Sequence, residues 1–354
     1  MAAIRPRDLL SDALLSELGR QGALAADIGR LADVGYLIVA LPEAQGGLDC
    51  TLRQAACGQR RLARHAPGTA LAVSAHLYWT GAAADAYRAG DDSVRWLLAE
   101  AARGALVAGG HGAAGSDLKF ADPKSRCEPD GSGGFLFRDP GALSTTTPSW
   151  DWIAVHAVHT GARPRSVIGF AGRGTRCAPA FRAARVCAAG TPGDVFTTSA
   201  LTWGHAILAS VQYSDARRAF NDAITACADA ATPAAFAAPP NGAAGPGGPA
   251  DGPAEPEGPV VPGQGTPGGL PRTAWPLADA GARLDAMKAN IAEITHPWAL
   301  VQEPAPDLGG QHLISLYAMR ARITEGAASV HALVEQLTGT KPHALPLVVL
   351  WHPR

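Results

Sequence analysis

The residues best equipped for chemistry begin at Gly110. The stretch Gly110-His111-Gly112-Ala113-Ala114-Gly115-Ser116-Asp117 follows the apolar run Ala105-Leu106-Val107-Ala108. Its glycines let backbone approach a bound group closely, since no side chain stands in the way. Ser116 adds a hydroxyl that can donate or accept. A plain turn is the alternative reading of any Gly-rich stretch. A second hydroxyl cluster, Ser144-Thr145-Thr146-Thr147, leads into Asp151-Trp152. A third segment, Ser199-Ala200-Leu201-Thr202-Trp203-Gly204-His205, contains no carboxylate. His205 is its one titratable group. As a neutral imidazole it can act as a base, and a structural core histidine is the competing reading.

The six cysteines, Cys50, Cys57, Cys127, Cys177, Cys187 and Cys227, form no Cys-x-x-Cys pair. They read as scattered thiols of a reducing compartment, with no spacing suited to zinc. A formal net charge of -1 leaves no nucleic-acid footprint. The 354 residues are enough for two or three structural units. With 17% charged and 47% apolar residues, the composition suits a buried, oligomeric, Ala-rich helical protein. No apolar run reaches bilayer length, and the N-terminus has no signal-peptide core, so the chain reads as cytoplasmic.

The elements that must position these groups follow from periodicity. Residues 1–103 read as an N-terminal helical domain, with Leu9, Leu10, Leu14, Leu15 and Leu18 at helical spacing. Gly35 fits the end of a helix over Gly22–Val34, and Tyr36-Leu37-Ile38-Val39 is expected to be extended. Further helices are expected over Ala56–Arg64, Ala70–Tyr87 and Ser93–Ala102. Residues 104–193 carry short apolar or alternating runs, among them Phe135-Leu136-Phe137, Trp152–His156, Ser166–Phe170 and Phe181–Val186. Punctuated by Gly, Pro and Asp, they read as a middle β-domain. Residues 194–354 read as a C-terminal helical domain, with helices over Ala200–Cys227, Leu277–Ile294 and Leu313–Leu337. It is interrupted at 232–272 by a Pro/Gly-rich stretch of the composition of a flexible, disordered linker.

The order of motifs resembles the acyl-CoA dehydrogenase family over most of the chain. The resemblance rests on Pro42-Glu43-Ala44-Gln45-Gly46-Gly47, on Gly115-Ser116-Asp117, on Thr145 before Asp151-Trp152, on Gln336-Leu337-Thr338-Gly339 and on Pro346–His352. It implies an α+β fold in which a β-barrel-like middle lies between two helical bundles. It also implies bound FAD and an acyl-CoA or related small-molecule substrate. By this resemblance Ser116 lies near the flavin and the thioester, and Thr145 hydrogen-bonds the flavin ring. Gln336 and Gly339 match residues that touch the adenosine pyrophosphate of a neighbouring subunit, which implies a homo- or hetero-oligomer.

The departures are as informative. Gly110, His111 and Gly112 stand where the family has Thr-Glu-Pro, Leu143 stands where an aromatic covers the ring, and Thr340 replaces the second Gly of Gln-x-x-Gly-Gly. The phosphate-contacting Arg-x-x-Phe-Gly motif is replaced by the Pro/Gly stretch. The catalytic Glu is found neither beyond the last helix nor on the long helix, which leaves the catalytic residue unknown and His205 as the candidate base. Three readings follow. The first is a flavin-dependent acyl-CoA dehydrogenase-like oxidoreductase acting on CH-CH groups, as a catalytic chain or as the half-site subunit of a hetero-oligomer. The second is a flavin-dependent monooxygenase of the same fold. The third is a scaffold that has lost the flavin.

Overall fold

The computed structural model describes residues 6–19, 24–110, 126–131, 134–138, 150–159, 165–173, 176–177, 180–183, 185–190, 194–231, 274–296 and 309–342. Helices come first: α1 (Pro6–Leu9), α2 (Asp12–Glu17), α3 (Leu24–Asp33), α4 (Leu52–His65), α5 (Pro67–Arg88) and α6 (Arg95–Ala102). The leucine-periodic start is divided in two at Ser11, whose hydroxyl accepts from the Leu14 amide and caps α2. Thr51 caps α4 in a reciprocal box with Gln54, and Pro67 opens α5 at a position where its missing N–H costs nothing.

The expectation of an extended run at Tyr36–Val39 is corrected by the structure, in which Tyr36–Ile38 is a 3-10 turn. Gly35 ends α3 at φ +76, where a side chain would be strained. The chain then coils on itself, with Ile38 N–H donating to Gly35 C=O and Leu41 N–H to Ile38 C=O. Tyr36 and Leu37 are buried among helices, and among the described residues no strand pairs with them.

A mixed sheet follows: β1 (Val107–Gly110), β2 (Arg126–Pro129), β3 (Phe135–Arg138), β4 (Trp152–His159), β5 (Arg165–Gly172), β6 (Arg176–Cys177), β7 (Ala180–Ala183) and β8 (Arg185–Gly190). Its order is β6-β7-β3-β2-β4-β5-β8, with β1 also paired to β4. β4 is the organiser. β5 runs antiparallel to its whole length, while β1 and β2 pair parallel to its first and last residues.

Three long helices complete the chain: α7 (Val195–Ala231), α8 (Ala274–Thr295) and α9 (Gly309–Thr338). Asp194 caps α7 by accepting from the Thr197 amide at 2.8 Å. α7 packs against α4, α5, α8 and α9, so the helices before and after the sheet share one core. A second core joins α5, α6 and the start of α7 to β1, β4 and β5 through Trp79, Val107, Ala154, Phe170 and Phe196. Among the described residues, no helix is long and apolar enough to cross a membrane.

Candidate functional site

The sheet and the start of α7 meet at an aromatic wall. Trp79 of α5 stacks on Phe196 of α7 with ring centroids 5.9 Å apart, and meets Phe170 of β5 edge-on at 5.4 Å. Trp96 of α6 meets Phe170 at 5.5 Å and Trp152 of β4 at 5.1 Å, both edge-to-face. Offset and edge-on pairs of this kind are the favourable arrangements of aromatic quadrupoles. Asp151 ties the first strand to β4, its carboxylate accepting from the Leu106 amide at 2.8 Å and its own amide donating to Leu106 C=O at 2.9 Å. Asp151-Trp152 therefore acts here by joining the sheet to α6.

His76 pins β1 from below. Its Nε2–H donates to Leu37 C=O at 2.8 Å and its Nδ1 accepts from the Val107 amide at 3.3 Å. Both bonds need the neutral ring, and burial lowers its pKa from 6.5 to about 4. Ser116 and Thr145 lie outside the described residues. The elements on either side of them are placed: β1 and β2, which flank 111–125 in the chain, both pair with β4, and β3 and β4 flank 139–149.

The first turns of α7 carry a row of buried polar groups. Ser199 and Thr202 are fully buried, and His205 is 1% exposed. The Thr202 hydroxyl donates to Thr198 C=O at 2.8 Å. Its one proton being used, it accepts from Nε2–H of His312 on α9 at 2.9 Å. Burial holds the His312 pKa down at about 4. One turn along, the His205 ring lies edge-on to Tyr317 of α9 at 5.7 Å. Ser199 Oγ is buried without a hydrogen-bond partner.

His312 and Tyr317 are site residues that the sequence reading missed. Nothing local pairs position 202 with 312; that contact is made by the packing of α7 on α9. Gln336 is exposed at the far end of α9, about 28 Å along the helix from Tyr317. Gly339 closes α9 at φ +66, its amide donating to Glu335 C=O at 2.9 Å. The structure thus brings His205 together with α9 groups and keeps Gln336 and Gly339 away from it within one chain.

The whole arrangement matches known structures. KijD3 in complex with FMN and dTDP-3-amino-2,3,6-trideoxy-4-keto-3-methyl-D-glucose is similar over 98% of this chain and 86% of its own, with TM-score 0.67 and 19% identity. A nitrososynthase from Micromonospora carbonacea var. africana is similar over 98% of this chain and 89% of its own, with TM-score 0.64 and 17% identity. FMN-bound TdsC of Paenibacillus sp. A11-2, a dibenzothiophene monooxygenase, matches over 98% of this chain and 89% of its own, with TM-score 0.63 and 14% identity. No protein-family model and no curated protein matches the sequence. The chain has the acyl-CoA dehydrogenase-like fold, an α+β arrangement of helices, a mixed sheet and further helices.

Proposed function

We propose that the chain is a flavin-dependent oxidoreductase and that its reaction is oxygen transfer to a small molecule rather than desaturation of an acyl thioester. The observation that carries the choice is the composition of the α7 face. From Val195 to Ser214 the helix holds no carboxylate, and its buried polar side chains are hydroxyls, the His205 imidazole and the Gln212 amide. In the family that the motif order resembles, the α-proton of a thioester is taken by a carboxylate on this helix or beyond the last one. Oxygen transfer does not call for one. The similar proteins that are named as monooxygenases support the same reading.

The residues present fit a flavin. Trp79, Phe170 and Phe196 are buried against one another and back the proposed slot rather than line it, and the orphaned Ser199 hydroxyl is a buried polar atom that a bound group would satisfy. Ser116 and Thr145 are the proposed donors to the ring. His205, edge-on to Tyr317, is the proposed proton-holding group. A reduced flavin supplies the electrons that activate oxygen. FMN is the favoured form: KijD3 and TdsC hold it, and the sequence lacks the Arg-x-x-Phe-Gly motif. FAD would instead call on Gln336 and Gly339 of a second copy, and identifying the released flavin decides between the two.

A second reading, the half-site subunit of a hetero-oligomeric acyl-CoA dehydrogenase, is favoured by Gln336 alone, exposed and far from His205 in its own chain. Two experiments separate the readings. Chain supplied with reduced flavin by a reductase should consume oxygen. Chain loaded with oxidised flavin should keep its visible absorbance when mixed anaerobically with acyl-CoAs of varied length; bleaching there would overturn oxygen transfer.

A further inference from the structure

We propose that residues 43–49 form a strap that opens as one local unit, and that Arg88 is the clasp that holds it closed. Glu43, Ala44 and Gly46 are exposed, while Gly47 presses on Leu41. A Cβ at Gly47 would stand 2.1 Å from the Leu41 carbonyl oxygen. At the end of the strap the Leu48, Asp49 and Cys50 amides donate to the carbonyls of Ile38, Leu41 and Val39. Asp49 makes that return at φ +51, the one non-glycine at positive φ among the described residues. A side chain there crowds its own backbone, so the closed form carries strain that another contact must offset.

Two consecutive residues in the last turn of α5 supply that contact. The Tyr87 hydroxyl accepts from Gln45 Nε2 at 3.3 Å, and Arg88 Nη2 donates to Asp49 Oδ1 at 2.5 Å. The Arg88 side chain is 18% exposed and that of Asp49 32%, so this pair is screened less than one on the open surface. Nη1 of the same guanidinium donates to Asp85 at 3.0 Å, three residues back on the helix. Asp85 thereby aims the fork at Asp49, and Trp203 of α7 holds Asp85 in turn. A planar guanidinium serves two carboxylates from two nitrogens at once, which the point charge of an ammonium does not match. Without the clasp the strap keeps only short-range bonds at the edge of the fold, the kind of segment that opens locally. Opening uncovers Leu41, which shares an apolar cluster with Trp79, Phe196 and Trp203.

Hydrogen exchange of the full chain, read by mass spectrometry, tests the clasp independently of the flavin reading. Asp49→Asn removes the charge, keeps a residue that tolerates the left-handed conformation, and leaves the Arg88–Asp85 pair in place. Peptides covering 42–50 should then exchange roughly tenfold faster, while peptides from α4 and α7 keep the parent's rates. Adding Asp49→Asn to Arg88→Met should accelerate nothing further, because Asp49 acts through Arg88. Should Arg88→Met fail to fold, Arg88→Lys takes its place in the same comparison. Parent rates over 42–50 in Asp49→Asn would overturn the proposal, as would a further acceleration in the double variant. Acceleration that spreads equally to α4 and α7 would also overturn it, because the strap would then not open as its own unit.

Discussion

Trp203 of α7 donates its indole N–H to the Asp85 carboxylate of α5 over 2.8 Å, and its ring fills the space that a side chain at position 81 would need. Asp85 also accepts from Arg88, which reaches on to Asp49 behind the Pro42–Gly47 turn. One residue of the long helix thus locks the helices that precede the sheet to those that follow it. Gly81→Ala should destabilise the protein by about 1–3 kcal/mol through overpacking against the indole, measured by urea denaturation. Trp203→Phe should cost a similar amount, since it strips a buried carboxylate of a donor.

The neutral His76 makes a pH prediction. Its pKa is near 4 in the folded chain against 6.5 in the ordinary range, so between those values the unfolded chain binds more protons. Its contribution is fully present above pH 6.5 and is lost as pH falls towards 4, at up to about 1.4 kcal/mol per pH unit. His156 and His312, also lowered to about 4 by burial, add in the same direction. In His76→Phe the slope of stability against pH over this window should become shallower, whatever the cost of the two lost bonds.

Cysteine reactivity should separate the thiols. Burial, assisted by the neighbouring Asp49 carboxylate, pushes Cys50 up to about 12, so it stays a protonated thiol at neutral pH. Cys57 and Cys227 are partly exposed. Brief alkylation of the native protein at pH 8, read by mass spectrometry, should mark Cys57 and Cys227 and spare Cys50 until the chain is denatured.

The flavin assignments predict that Ser116→Ala and Thr145→Val each weaken flavin binding several-fold, seen as a raised Kd in fluorescence titration. His205→Asn should leave the flavin Kd within about twofold and slow oxygen-dependent turnover, as expected for a group that handles a proton. Equal flavin Kd values in the parent and in both Ser116→Ala and Thr145→Val would contradict those two assignments.

Most of the fold was legible because the cues were local. Gly35 ended a helix as read, and the α5, α6, α8 and α9 boundaries fell within a few residues of the periodicity. The strands at Phe135, Trp152 and Ser166 announced themselves by alternation and branched side chains. Tyr36–Val39 has a strand's composition and became a 3-10 turn, because Gly35 turns the chain and the carbonyls of Ile38 and Val39 are taken by the amides of Leu48 and Cys50. β2, Arg126–Pro129, carries charge and a proline in four residues, so only its partners β3 and β4 define it. The α7–α9 seam was illegible for a related reason: His205 could be seen as a titratable group, while Tyr317 and His312 reach α7 only through helix packing. The Ser116 and Thr145 assignments rest on motif order and on the placement of their flanking strands.

The most direct test of the account is a visible absorption spectrum of the purified chain titrated with FMN and, separately, with FAD. The account predicts a perturbed, protein-bound flavin spectrum that saturates with FMN, lost or weakened in Ser116→Ala and Thr145→Val. A spectrum unchanged from free flavin at every concentration, with both cofactors, would contradict it and leave the fold as a scaffold without its cofactor.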